Sequence, residues 1–285
     1  MTRSKATATG FTAVLMWALL ALLTIASSPV PPFLLSTLCF GIGGAIGLVW
    51  TAQGPGLCIL KTISWRVYAF GTLGLFGYHF FYFTALRWGP NAATGLIAYL
   101  WPLFIVLLSG LLPGEKLRAG HVAGAFVALA GAALIVLTSG QSGASLPALA
   151  LAFLCALTWS SYSVLSRRFG TVPSQSVTVF CLATAALSLV AHMGLEETVW
   201  PASASGWAAI AALGIGPVGA AFFTWDIGMK KGDIQLLGVA SYAAPLLSTL
   251  VLVAAGVAQL SVSLALATVL ITAGAALAAR ASAKP

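Results

Sequence analysis

Charge is what this sequence has least of. Five of its 285 residues are acidic (Glu115, Glu196, Glu197, Asp226 and Asp233), and charged residues of both signs make up 6%. A water-soluble domain carries about 25%, so this chain cannot cover a water-facing surface. Cysteine is sparse as well: Cys39, Cys58, Cys155 and Cys181 show no C-x-x-C spacing and read as free thiols that pack. There is no H-E-x-x-H, no Walker A sequence, no Cys/His metal set and no acidic pair inside an apolar run, so neither metal-assisted hydrolysis nor nucleotide chemistry has its parts. An intramembrane hydrolase needs a base, a nucleophile or a metal, and His79 with a few serines does not assemble one. Every lysine falls at the end of an apolar segment, which removes the mid-membrane lysine of a retinal protein. No cofactor and no catalytic residue is expected.

What remains is overwhelmingly apolar, with 60% hydrophobic residues. A membrane-crossing helix needs about 20 such residues. Runs of that length lie near 8–27, 33–52, 65–86, 91–112, 118–138, 146–167, 174–194, 206–229, 234–256 and 261–280. They are separated by breaks such as Ser28-Pro29-Val30-Pro31-Pro32, Gln53-Gly54-Pro55-Gly56, Trp88-Gly89-Pro90-Asn91, Pro113-Gly114-Glu115-Lys116, the Ser/Gly-rich stretch 139–143 and Lys230-Lys231-Gly232-Asp233. The first run lacks a small-residue cleavage site and reads as a retained helix. The net charge of +8 would point to nucleic acid in a soluble protein, but here the charges sit in short loops and orient the chain. With the N-terminus inside and ten crossings, Arg3, Lys5, Lys61, Arg66, Lys116, Arg118, Arg167, Arg168, Lys230, Lys231, Arg280 and Lys284 gather on the cytoplasmic side and Arg87 alone lies outside. An odd number of crossings would break that segregation.

The chain also repeats itself. Gly95-Leu96-Ile97-Ala98-Tyr99-Leu100-Trp101-Pro102 is echoed by Gly238-Val239-Ala240-Ser241-Tyr242-Ala243-Ala244-Pro245, with Gly, Tyr and Pro each 143 positions on. Ala130-Gly131-Ala132-Ala133-Leu134 matches Ala273-Gly274-Ala275-Ala276-Leu277 in the same register, and Trp17 precedes Trp159 by 142. Residues 1–140 and 141–285 are thus two halves of five helices each. Five is odd, so the second half enters from the opposite side, giving an inverted repeat. The fold class read from the sequence is an all-α integral membrane protein of ten transmembrane helices in two inverted five-helix repeats.

This arrangement resembles the drug/metabolite transporter superfamily, and each half is similar to its EamA-type domain. Within that superfamily, Gly77-Tyr78-His79-Phe80-Phe81-Tyr82-Phe83 followed by Ala98-Tyr99-Leu100-Trp101-Pro102-Leu103 resembles the bacterial aromatic amino-acid exporters. The resemblance implies an inner-membrane secondary transporter that exports aromatic or other apolar amino acids by alternating access through a central aromatic-lined cavity.

The residues supply candidates for such a cavity. Tyr78 and Tyr82 share a helix face with His79 beside them. A histidine within a bilayer is a functional candidate, against the alternative that it bonds a carbonyl in a packed helix. Tyr99 and Trp101 lie about 200° apart on an ideal helix, so they share a cavity only if Pro102 distorts the turn. Trp101 also reads as a lipid-facing or packing residue, whereas Tyr99 has a repeat partner in Tyr242. Trp159, Tyr162, Ser163 and Ser166 form a stripe that suits either a cavity wall or interhelical hydrogen bonds, and Trp17 mirrors Trp159. Pro102 and Pro245 each remove a backbone hydrogen bond and are candidate hinges. Asp226 and Lys230 are spaced to pair as a structural ion pair, with a proton relay as the alternative. Glu115 reads as part of a solvated cluster.

A wall of rings and hydroxyls suits an amphipathic neutral molecule. The partners expected are therefore a small-molecule amino acid and membrane lipid, with no nucleic acid and a monomer sufficing. A broad multidrug or metabolite exporter of the same fold, and a membrane enzyme or structural subunit, stand as alternatives.

Overall fold

The computed structural model describes residues 1–89, 92–138 and 145–283. The regular structure there is helical: α1 (Arg3–Trp17), α2 (Leu20–Ala26), α3 (Pro32–Gln53), α4 (Cys58–Lys61), α5 (Trp65–Trp88), α6 (Ala92–Ala98), α7 (Trp101–Ser109), α8 (Ala119–Thr138), α9 (Leu146–Ser166), α10 (Ser176–Leu195), α11 (Ala204–Ile215), α12 (Ala221–Lys231), α13 (Ile234–Ala240), α14 (Ala243–Ala254) and α15 (Val262–Ala283). The breaks read at Pro90-Asn91 and over 139–143, Lys284 and the boundary at 140/141 lie outside the described residues.

Each apolar run of the sequence is helical, and four of them are helical in pieces. Proline explains three of the interruptions. Pro217 sits in a π-helical stretch, Gly216–Ala220, between α11 and α12. Its missing N–H and its ring disrupt the regular ladder there, and the turn widens. Pro102 and Pro245 lie in the first turns of α7 and α14, where a missing N–H is one of the orphan donors anyway. The chain therefore breaks just before each proline, at Tyr99-Leu100 and at Ser241-Tyr242.

Among the described residues, seven helical stretches are long and apolar enough to cross a membrane: Arg3–Ala26, Pro32–Gln53, Leu146–Phe169, Ser176–Leu195, Ala204–Lys231, Ile234–Ala254 and Val262–Ala283. Thr94–Ser109 and Ala119–Leu134 are apolar but shorter. Helix α5 is long at 24 residues but carries Arg66, Tyr68, Tyr78, His79, Tyr82 and Arg87. It therefore falls below the apolar composition of an ordinary span, and these polar groups call for shielding from lipid by other helices.

Packing supplies that shielding. Helix α1 lies along α12, α5 along α9, α3 along α10, α8 along α15 and α7 against α13. Each pair joins a helix before residue 139 to one after residue 144. The tightest crossings are made at glycines. A Cβ on Gly10 would come within 2.8 Å of the Gly228 Cα, and one on Gly124 within 2.5 Å of the Gly274 carbonyl oxygen. Backbones thus meet directly where α1 crosses α12 and α8 crosses α15, the usual means of helix association in lipid. The largest buried cluster lies between these layers and contains Phe40, Trp101, Trp159, Tyr162, Phe222 and Trp225. All four cysteines are free, and Cys39, Cys155 and Cys181 are buried.

Candidate functional site

The centre of the molecule is a box of four indole rings. Trp17 at the end of α1, Trp101 at the start of α7, Trp159 on α9 and Trp225 on α12 are all mutual neighbours, with ring centroids 5.1 to 6.3 Å apart. Most of the contacts are edge-to-face or tilted, the arrangements that ring quadrupoles favour. Trp17 donates its indole N–H to the Pro217 carbonyl at 3.1 Å, so the π turn serves as its anchor. Trp225 donates to the Ser163 hydroxyl at 3.0 Å. Both polar tips are satisfied, and the rings are free to pack.

Phe222 closes one side of the box, 5.7 Å from Trp159 and stacked on Phe40 at 5.3 Å. Tyr78 closes another, 5.3 Å from Trp159 and stacked on Tyr82 at 5.9 Å. His79 stands edge-on to Phe40 at 4.9 Å, and its Nδ1 lies 2.7 Å from the Leu75 carbonyl one turn back. A carbonyl only accepts, so Nδ1 carries the proton and Nε2 is the remaining acceptor of a neutral ring. Tyr78, Tyr82 and Tyr99 sit within electrostatic reach of one another, and Tyr78 and Tyr82 also of Cys155.

The structure gathers most of the sequence candidates but divides them. Trp101, Trp159 and Tyr162 keep 6, 3 and 3% of their surface exposed, so they face other rings and not open space. Trp17, Tyr78, His79, Tyr82 and Tyr99 are only partly buried. The 200° separation of Tyr99 and Trp101 does not apply, because the helix is broken between them at Leu100. Ser163 holds Trp225 through its hydroxyl, and its carbonyl accepts from Ser166 at 2.7 Å.

Tyr242 is placed differently. It is fully buried in a separate cluster with Leu103, Val106 and Leu246. Its hydroxyl accepts the backbone N–H of Leu103 at 3.1 Å, one of the orphan donors in the first turn of α7. Tyr242 thus links the two broken helices and caps one of them. Trp225 and Phe222 were not among the sequence candidates, although the 143-residue register points to them: it carries Tyr82 onto Trp225 and His79 onto Phe222.

Charged groups collect at the two ends of the bundle. At one end Glu115, just before α8, is bracketed by Arg167 and Arg3, with Arg3 at 3.4 Å. Arg3 also lies 3.4 Å from Asp233, and the Thr7 hydroxyl accepts the Asp233 N–H at 2.8 Å. The Arg167 guanidinium, at the end of α9, donates to the carbonyls of Met229 and Gly232 at 2.8 Å each, capping α12. Glu115 therefore belongs to a chain of ion pairs, Asp233–Arg3–Glu115–Arg167, with 8% of its side chain exposed, and not to a solvated loop cluster. Nearby, Lys230 pairs with Asp226 at 2.9 Å. Ser174 donates to Asp226 at 2.6 Å, and Lys230 also donates to the Val172 carbonyl at 3.1 Å. The other end is simpler: the Glu196 carboxylate accepts the N–H groups of Phe33 and Leu34 at the start of α3 and faces His192 at 2.9 Å and Arg87 at 3.6 Å. Among the described residues, no group of side chains is arranged to hold a metal ion.

A helical bundle with an aromatic centre and charges confined to its ends is the build of a membrane transporter. The chain belongs to the EamA-like transporter family, whose sequence signature matches residues 4–137 and again 146–280. It is 56% identical, over 98% of both chains, to the aromatic amino acid exporter YddG of Ancylobacter novellus. It is 26% identical to the aromatic amino acid exporter YddG of Salmonella typhimurium, over 87% of this chain and 88% of that one. A solved crystal structure 54% identical in sequence superposes with a TM-score of 0.95, covering the whole of both chains. The family and these named relatives are transporters, not enzymes.

Proposed function

We propose that this protein exports aromatic amino acids across the bacterial inner membrane by alternating access. The observation that carries the reading is the four-tryptophan box, in a chain 56% identical to an aromatic amino acid exporter. Trp17, Tyr78, His79, Tyr82 and Tyr99 form the receiving wall, and Trp101, Trp159, Tyr162 and Ser163 back it. Phenolic hydroxyls, the His79 Nε2 and the carbonyl that Pro102 leaves without its N–H partner are the polar groups available to a zwitterion. Separating the packed rings to admit a substrate costs about 1 kcal/mol per ring pair, which an incoming aromatic ring returns in kind. This favours aromatic over aliphatic cargo.

The ten-crossing inverted repeat, with 1–140 and 141–285 as its halves, is part of the same reading. A two-fold axis relating the halves exchanges the pair α1 with α12 for the pair α9 with α5, and maps α3 with α10 and α8 with α15 onto themselves. The packing of α1 on α12, α5 on α9, α3 on α10 and α8 on α15 supports that reading. The two broken helices add to it, since both breaks include the tyrosine of the repeated motif, Tyr99 and Tyr242. With twelve of the 13 Lys and Arg on one side, both termini lie in the cytoplasm. The Arg3–Glu115–Arg167 bridge then closes the cytoplasmic entrance, and Pro102 and Pro245 are the hinges of the two broken helices. Purified protein in liposomes should take up labelled phenylalanine in preference to leucine. Absence of phenylalanine uptake by folded protein would remove the proposal, and uptake of organic cations instead would favour a drug exporter of the same fold.

A further inference from the structure

A line of rings leads out of the tryptophan box. From Trp159 it runs to Phe222 at 5.7 Å, to His79 at 6.0 Å, to Phe83 at 5.8 Å and to Phe33 at 5.7 Å. His79, Phe83 and Leu86 occupy i, i+4 and i+7 of α5, one face of that helix; Phe33 and Phe40 are seven apart on α3 and share a face in the same way. Both stripes start at the box and end at a cavity of about 290 Å³ bounded by Pro32, Phe33, Phe83, Leu86, Arg87 and Glu196. That volume is at the small end of ligand sites, which run from about 300 Å³ upward, and it suits one aromatic ring with a short polar tail.

The polar groups at this cavity are unequal. Glu196 is already engaged, accepting from Phe33 and Leu34 and facing His192, with 1% of its side chain exposed. It has little left for an incoming ammonium. Arg87 has one nitrogen on the Leu195 carbonyl at 2.7 Å and another 3.6 Å from Glu196, and 44% of its side chain is exposed. A guanidinium offers five N–H donors in a planar fork that matches a carboxylate, so Arg87, which lines the cavity, has donors beyond those engaged with Leu195 and Glu196. The tryptophan box, by contrast, is built of Trp, Phe and Tyr and carries no cation.

We propose a second binding site here, outside the tryptophan box. It takes an aromatic carboxylate, its ring against the Phe33–Phe83 pair and its carboxylate on Arg87. The proposal rests on the export reading and deepens it: the site is a staging point at the outer end of the export path, where the exported amino acid first meets a cation.

Calorimetric titration of the purified protein tests it. Wild type should bind two phenylalanines per chain, and Arg87→Gln one. Phenethylamine, which keeps the ring and lacks the carboxylate, should bind once to both. Arg87→Lys should restore the second phenylalanine at about three- to tenfold weaker affinity, the range for losing part of a charge-assisted contact. One phenylalanine bound by wild type, or two retained by a folded Arg87→Gln protein, would overturn the site. Where Arg87→Gln does not fold, Phe83→Ala leaves the Arg87–Glu196 pair in place and carries the test: loss of the second phenylalanine supports the site, and its retention overturns it. Liposome uptake of labelled phenylalanine keeps the two proposals apart. If wild type moves none, the export reading fails whatever the titration gives; if it moves phenylalanine while binding only one, the outer site alone fails.

Discussion

His79 is the residue on which polar recognition at the box depends most. Its ring contacts Phe40, Tyr78, Phe83 and Phe222, and its Nδ1 proton is committed to Leu75. His79→Phe keeps the ring contacts and removes the remaining acceptor. Phenylalanine transport in liposomes should fall about tenfold, the weight of one hydrogen bond to a charged group, with thermal stability near wild type. A matching fall in stability would make His79 a packing residue. Asp226 gives the opposite expectation. Its carboxylate is held by Lys230 and Ser174 in a setting where both partners are buried, and Asp226→Asn leaves Lys230 charged and unpaired. Removing one member of a buried pair costs about 3 to 5 kcal/mol, so the variant should unfold at a clearly lower temperature in detergent. If it is as stable as wild type and transports nothing, the pair is a proton relay and not a fastening.

The two broken helices meet through one hydroxyl. Tyr242 reaches from the α13–α14 break to the Leu103 N–H beside the α6–α7 break, so movement at one break is felt at the other. Tyr242→Phe leaves that N–H buried without its acceptor, at a cost of about 1 to 3 kcal/mol, and thermal denaturation should register it. Pro102→Ala and Pro245→Ala restore a donor and should lengthen α7 and α14 back through their breaks. Because the repeats are inverted in the proposed topology, the two substitutions should bias access toward opposite sides of the membrane. A mid-bundle cysteine probed from each side reads the bias; a shift in the same direction for both would end the hinge assignment.

For the molecule as a whole, the ends differ in how they are closed. Arg3, Glu115, Arg167 and Asp233 bring together the start of α1, the loop before α8, the end of α9 and the α12–α13 junction. Glu115 lies between two of the cations, so Glu115→Gln removes the anion that bridges Arg3 and Arg167. A thiol reagent applied from that end should then modify a cysteine at Ser163 several-fold faster than in the wild-type background. An unchanged rate would mean that these ion pairs do not hold the entrance. Topology has its own test. Cys58 is exposed in the structure and should be shielded from an impermeant thiol reagent added to intact cells, whereas a cysteine introduced at Glu197 in a Cys58→Ser background should react. The reverse pattern would invert the molecule.

The sequence by itself determined the class of protein. Too few charges to face water, apolar runs of spanning length and a motif repeated in one register follow from composition and spacing, and they need no contacts to be read. It also determined that Tyr78, His79 and Tyr82 lie together, because neighbours on a helix are set by the 3.6-residue turn. Only the tertiary structure decided which rings meet across helices. Trp225 enters the box, and Tyr242 leaves it, through helix crossings and breaks that no local pattern encodes. Glu115 shows the same limit with charge. Its neighbours in the chain suggested a solvated loop, but partners 112 and 52 positions away bury it. The physical reason is range: propensity and periodicity act over a turn or two of helix, whereas a site between halves of a bundle is assembled by the packing of segments many tens of residues apart.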